Sequence, residues 1–222
     1  MPVTEVLIMP LTAGSDIKDI NSPAGKIVKD LVDTLHQQDG FQHVHLGTQI
    51  ESPDVLQLMI DWDKLESHQK FMNSNGYPPL IKRIGSLLSS APTIIHVDFA
   101  TTEGSSAGAL ITALAAPVTE CATFYLPSQS SSFASTAHSF MKTLKDNAPG
   151  VLGYAYGWSI EDVEHEGLGE GKKGKAFLLM IGWMSVQAHM DYRDTDAFKN
   201  SIDALRKEVK GASMYHVEWW SY

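Results

Sequence analysis

Two short patterns in this 222-residue chain place a proton-accepting group beside an aromatic ring. Trp62 is followed six residues later by His68, and Trp183 by His189. An imidazole titrates near neutral pH, so at a pocket rim it could take a phenolic proton. Around the second pair stand Tyr154, Tyr156, Trp158, Tyr192 and Trp219. Their rings could wall a dry site for a planar ligand, and their hydroxyls could orient an enolate or quinone oxygen. His189 and His68 are therefore the candidate catalytic residues, and Trp183, Tyr154, Tyr156, Tyr192, Trp62 and Trp219 the candidate substrate-binding ones. A plainer reading stands beside this one. Aromatic residues on a buried sheet face are ordinary core, and a histidine that recurs suits a structural hydrogen bond as well as catalysis.

A second constellation lies in the first half. His43, His45, Gln49, Gln57, Asp61, His96 and Asp98 alternate onto one strand face, where the second half carries Gly153, Ala155, Leu178, Met180, Gly182, His216 and Glu218. His43-x-His45 sets two imidazoles on the same side of a strand, roughly 7 Å apart. With His96 they could bind a divalent metal if three ring nitrogens converged on one point at about 2.0–2.2 Å. A polar, hydrogen-bonded interface accounts for the same residues without a metal, and no metal is expected.

The elements that must position these groups occur twice. LQLMIDWDKLESHQKFMNS from Leu56 matches FLLMIGWMSVQAHMDYRDT from Phe177, and His96-Val-Asp-Phe99 matches His216-Val-Glu-Trp219. Gly40 and Gly47 correspond to Gly150 and Gly157 at an offset about eleven residues shorter, which locates a polar, Gly-rich insertion between Trp158 and Ala176. Within each copy the hydrophobic period switches in one order. Val6 to Leu11 reads as a strand. Ser22 to Gln37 reads as a helix with Ser22 as N-cap and Pro23 in its first turn. Phe41 to Ile50 and Val55 to Trp62 form a hairpin, a helix broken near Gly76 follows, and Thr93 to Ala100 is the last strand. The second copy repeats this βαββαβ order, with a helix broken between Val186 and Lys207.

A βαββαβ unit is an antiparallel sheet with both helices on one face. The expectation is an α+β chain of two ferredoxin-like βαββαβ modules packed sheet to sheet, an intrachain pseudo-dimer forming an α+β barrel. The modules span 1–101 and 119–222, joined by a small-residue linker at 102–118, with a hairpin insertion at 163–174. Leu56, Leu58, Ile60 and Trp62 should face the helices, as should Ile95, Val97 and Phe99, and in the second copy Phe177, Leu179, Ile181, Trp183, Tyr215, Val217 and Trp219.

With these residues in view, the chain resembles a tandem fusion of two antibiotic-biosynthesis-monooxygenase (ABM)-type modules of the dimeric α+β barrel superfamily. A module of about a hundred residues, a third strand ending in Trp62 or Trp183, and His68 or His189 six residues on carry the resemblance. It implies a fold shared by cofactor-independent quinone-forming monooxygenases, heme-degrading enzymes, polyketide cyclases, small decarboxylases and stress proteins, so it does not choose a reaction. The heme-degrading branch uses an Asn on the first strand, the Trp, and a ligating His. Here the first strands lack Asn, and Ile81 and Ile202 stand where the ligand would be. Heme would have nothing to hold its iron.

Composition narrows the partners. Seventeen Lys and Arg against 26 Asp and Glu give a net charge of −9, which makes nucleic acid and anionic membranes poor partners. The single cysteine, Cys121, excludes an internal disulfide framework. No signal-like or membrane-length apolar run is visible, so a cytoplasmic protein is expected. Gly-x-Gly-x-x-Gly, P-loop, Gly-x-Ser-x-Gly and His-Glu-x-x-His motifs are absent. The expected activity is binding of a small aromatic or polyketide-like molecule, by a monooxygenase or cyclase of secondary metabolism without a bound cofactor. The alternative is a non-catalytic ligand-binding or stress-related protein. Further homodimerisation stays open, since the fusion already supplies the pairing of single modules.

Overall fold

The computed structural model describes residues 1–99 and 106–220. These residues divide into two compact units, residues 1–96 with residue 220, and residues 97–99 with 106–219.

In unit 1, β1 (Val3–Pro10) leads to α1 (Pro23–Leu35), then β2 (Phe41–Gln49) and β3 (Val55–Trp62). The broken helix resolves into α2 (Leu65–Met72) and α3 (Tyr77–Gly85), followed by β4 (Thr93–Asp98). α1 starts where the sequence places its signals: the Ser22 side chain accepts from Gly25 N, with Pro23 next. A cap of this kind contributes about 1 kcal/mol. β3 is central, antiparallel to both β1 and β2, and the β2 pairing carries a bulge between Phe41 and His43. Leu56, Leu58, Ile60 and Trp62 project to the helices and close a core with Val28, Leu31, Leu35, Phe71, Leu80 and Ile84.

Unit 2 opens with the end of β4 and contains α4 (Ala107–Leu114), β5 (Val118–Leu126), α5 (Ser131–Asn147) and β6 (Val151–Ser159). The short β7 (Val163–Glu164) pairs with the start of β8 (Lys173–Trp183) to make the inserted hairpin. α6 (Val186–Arg193), α7 (Asp196–Arg206) and β9 (Gly211–Trp220) complete it. β8 lies between β5 and β6, and β9 takes the other edge of β5. A bulge between Val151 and Gly153 repeats the one in β2.

The expectation of two ferredoxin-like modules packed sheet to sheet is corrected here, on two findings. First, β4 does not end a closed first module. Val97 and Asp98 pair with Ser159 and Trp158 of β6, so β4 continues an antiparallel ladder through its edge instead of stacking a face. Gly157 permits this approach, because a Cβ there would lie 2.3 Å from the Asp98 carbonyl oxygen. Second, the helix in the small-residue segment, α4, lies on the face of β6 and β8 that was expected to meet the other module. A Cβ on Gly153 would sit 2.7 Å from Thr112 Cγ2, and one on Gly182 would sit 2.7 Å from the Ala113 carbonyl oxygen. Thr119 Oγ1 donates to that same carbonyl at 2.9 Å. The small residues at 153, 155 and 182 make room for α4, which explains why they differ from His43, His45 and Asp61.

The faces of the last strands are also reversed from expectation. His96 bonds to His68 of α2, and His216 to His189 of α6, so the helix side of β4 carries Ile94 and His96, and that of β9 carries Met214 and His216. Among the described residues no helix is long and apolar enough to cross a membrane.

Candidate functional site

Each unit builds the same buried quartet from four elements. In unit 2, Glu120 on β5 accepts a hydrogen bond at Oε2 from Trp183 Nε1 of β8 at 3.0 Å. His189 of α6 stacks on the Trp183 ring with centroids 4.9 Å apart and brings Nε2 to 3.4 Å from Glu120 Oε2. Its other nitrogen, Nδ1, is 2.8 Å from His216 Nε2 of β9. Unit 1 repeats this: Trp62 Nε1 donates to Glu5 Oε2 at 3.0 Å, His68 stacks on Trp62 at 5.0 Å, and His68 Nδ1 is 2.7 Å from His96 Nε2. A bond between two imidazoles needs one N–H and one lone pair, so each pair shares a proton across the contact.

The sequence positions explain the convergence. The third strand delivers its last residue, Trp62 or Trp183, at the point where the chain turns into a helix. The histidine, the fourth residue of that helix, returns over the indole. The glutamate comes from the first strand, which pairs with the third in register Glu5↔Ile60 and Glu120↔Ile181.

Charge separates the members. Burial pushes the Glu120 carboxyl up from its ordinary 4.5 to about 7, against the lowering effects of the Trp183 hydrogen bond and the Arg193 guanidinium. A carboxyl at that value holds or releases a proton near neutrality, which suits a general acid or base. The Trp183 hydrogen bond and the His189 contact both fall on Oε2.

The two quartets border very different spaces. Unit 2 contains a cavity of about 190 Å³ whose walls include Glu120, Trp183, His189, Tyr192 and Phe198, with Arg193 and Arg206 also on its lining. The corresponding space beside Glu5 and His68 in unit 1 is about 50 Å³. A dry cavity of about 150 Å³ accepts benzene, so the larger space suits one or two fused rings. Tyr192, buried at 3% exposure, has a hydroxyl without a hydrogen-bond partner of normal geometry. Burial raises the pKa of that phenol, with nearby Ser201 opposing and Glu120 adding to the rise.

Of the residues singled out from sequence, His189, Trp183 and Tyr192 therefore meet at one cavity. His68 and Trp62 form the equivalent arrangement in unit 1. Tyr154 and Tyr156 do not line the cavity: they belong to the core of unit 2, their rings parallel at 6.4 Å, with Tyr156 Oη 2.8 Å from His138 Nδ1 of α5. Trp219 is on the opposite face of the sheet, where its Nε1 donates to Thr119 Oγ1 at 2.8 Å. Strand alternation is the reason, since Trp219 is three residues from His216 and takes the other side.

The metal reading at His43, His45 and His96 is not met. His96 turns its Nε2 to His68, and the His43 and His45 rings are 5.8 Å apart. Asp61, one of the two carboxylates of that group, accepts from Thr4 Oγ1 at 2.6 Å, and burial raises its pKa. Among the described residues the one group with three ligand atoms mutually within 4.8 Å is Glu5, His68 and His96. Two nitrogens bound to one ion at about 2.1 Å stand roughly 3 Å or more apart. The 2.7 Å His68–His96 separation is that of a hydrogen bond instead.

Sequence reasoning missed Glu5 and Glu120. A signal was present: Val3-Thr4-Glu5 recurs as Val118-Thr119-Glu120. Arg193 and Arg206 were missed because they have no counterpart in the first copy.

Comparison with known proteins adds fold-level likeness. No family model and no curated protein matches the sequence. An anthrone oxidase-like protein of known structure superposes with a TM-score of 0.71 and 13% identity, covering 99% of this chain and 92% of that one. A candidate monooxygenase from Fusobacterium nucleatum gives 0.60 and 9% identity, covering 99% and 93%, and another from Lactobacillus acidophilus NCFM gives 0.55 and 9%, covering 98% and 93%. At such identities the likeness shows the fold, and this chain shares it over nearly its whole length with proteins named as monooxygenases.

Proposed function

We propose that the unit 2 cavity binds a small aromatic ligand of one or two rings and oxygenates it without a bound cofactor. The carrying observation is a buried carboxyl, Glu120, with a pKa of about 7, at the wall of an apolar cavity and backed by the His189–His216 pair. Glu120 as carboxylate takes the proton of a bound phenol or of an activated ring C–H, and His189 stabilises the proton so gained. Trp183 fixes the carboxyl through its indole N–H, and the Tyr192 hydroxyl donates to the ligand's oxygen. The resulting electron-rich anion is the species that reacts with dioxygen. One oxygen atom enters the ring as a carbonyl, the carbon that gains it giving up its hydrogen, and the other leaves as water with that hydrogen and the returned proton. The cavity is smaller than the several hundred Å³ expected for a polyketide-sized substrate, which favours the smaller ligand class.

The test is oxygen uptake and quinone absorbance with a panel of one- and two-ring phenols under air. Wild-type protein is expected to turn over at least one of them, with Glu120→Gln slower by about a hundredfold or more while retaining binding. Turnover unaffected by Glu120→Gln would reject the assigned base.

A second reading has its own observation. Unit 1 keeps the whole Glu–Trp–His–His quartet beside a space of only about 50 Å³, so the quartet is also compatible with a purely structural role. Binding without oxygen uptake for every phenol would favour a non-catalytic ligand carrier.

A further inference from the structure

We infer that the ligand of the unit 2 cavity carries a single negative charge, a carboxylate, held at the cavity by Arg193 and Arg206. This rests on the reading of that cavity as a ligand site. In a chain of net charge −9, the cavity lining nevertheless includes two guanidinium groups. They come from the last residues of α6 and α7, the two helices that cover the cavity. Arg193 lies over the Phe198 ring at 5.9 Å, which holds the guanidinium against the aromatic wall. Arg206 Nη1 is 3.7 Å from Asp203 Oδ1, a loose surface pair that neutralises one charge in part.

Comparison of the copies gives the independent argument. With His68 aligned to His189, the constant offset of 121 pairs Phe71 with Tyr192, Met72 with Arg193, Leu80 with Ser201 and Gly85 with Arg206. Copy one is apolar or bare at all four positions. Copy two is polar at all four, and two of them are cations. Core packing does not require this, since the same helices pack in unit 1 without it. While Glu120 on the same wall holds its proton, two arginines offset by one aspartate leave about one net positive charge, which matches a monoanion. A guanidinium presents paired N–H donors that fit a carboxylate.

The probes are 1-naphthoate and its neutral isostere 1-naphthamide, titrated calorimetrically against the full chain. Naphthoate is expected to bind about tenfold or more tightly than naphthamide. Its advantage should shrink as salt is raised, while naphthamide binding stays constant. Arg193→Met with Arg206→Gln should bring naphthoate affinity down to that of naphthamide measured on the same variant. Asp203→Asn, which removes the competing carboxylate, should strengthen naphthoate binding and tests the idea without touching either arginine. Equal affinity for the two probes, or a preference that survives the double substitution, overturns the charge assignment and leaves the aromatic site standing. Failure of both probes to bind overturns the ligand-site reading along with it.

Discussion

Glu120→Gln should flatten the alkaline loss of stability that the native carboxyl imposes. The ordinary value of this group is 4.5 and the folded value about 7. Between those limits the unfolded chain has released the proton while the folded chain still holds it. Stability from this group is therefore complete below pH 4.5, falls as pH rises towards 7, and is level above. A shift of about 2.5 units corresponds to about 3 kcal/mol lost across that window. Glutamine carries no ionisable proton and can still accept from Trp183 Nε1 through its carbonyl oxygen. The stability difference between the variant and the wild type should thus move by about 2.5 kcal/mol in the variant's favour between pH 5 and pH 8.5. For a chain of this size that is about 5–10 °C in Tm. Thermal unfolding followed by circular dichroism at the two pH values reads it directly, and subtracting wild type from variant cancels every other titrating group. Parallel curves would refute the reasoning. They would mean that His189 carries a proton and pairs with an ionised Glu120, so that the carboxyl is not held neutral by burial.

Two other substitutions test neighbouring parts of the argument. Tyr192→Phe removes a buried hydroxyl that makes no hydrogen bond of normal geometry, and Phe71 already fills the equivalent place in unit 1. A gain of about 1 kcal/mol in denaturant unfolding is expected, together with lower turnover of any phenol the protein accepts. Gly153→Val drives a side chain into Thr112 of α4 and should cost about 1–3 kcal/mol, whereas His43→Val at the matching position of copy one meets no such helix and should cost less. Equal losses at the two positions would remove α4 as the reason for the glycine.

The strands and helices were legible because each carries its own period: Val55–Trp62 alternates cleanly, and Ser22-Pro23 marks a helix start that the structure reproduces. His189, Trp183 and Tyr192 could be grouped because they lie within ten residues on a strand end and the helix that follows. What failed depended on pairings that period alone does not encode. Alternation shows that β4 and β9 have two faces without saying which meets the helices, and His96, His216 and Trp219 were placed on the wrong sides for that reason. The edge between β4 and β6 is a long-range hydrogen-bonded register, and no local pattern announces it. Gly153 and Gly182 read as weak strand residues until α4 is seen against them.

The duplication turns the chain into its own control experiment. Glutamate, tryptophan and two histidines were kept in both copies, down to the hydrogen bonds at 3.0 Å between indole and carboxylate. Retention in unit 1, where little open space remains, means that the quartet's contribution to packing alone is enough to preserve it. It follows that finding the quartet is weak evidence of chemistry, and that the discriminating signal is what changed around it. Those changes gather at one place. The tyrosine, the serine and both arginines that copy two has in exchange for apolar or absent side chains all sit on α6 and α7, and the tyrosine and both arginines line the enlarged space. Random drift at four positions would scatter polarity over the surface of two helices. Its concentration at the cavity that the Glu120 carboxyl also borders is the physical argument behind the ligand site proposed in unit 2.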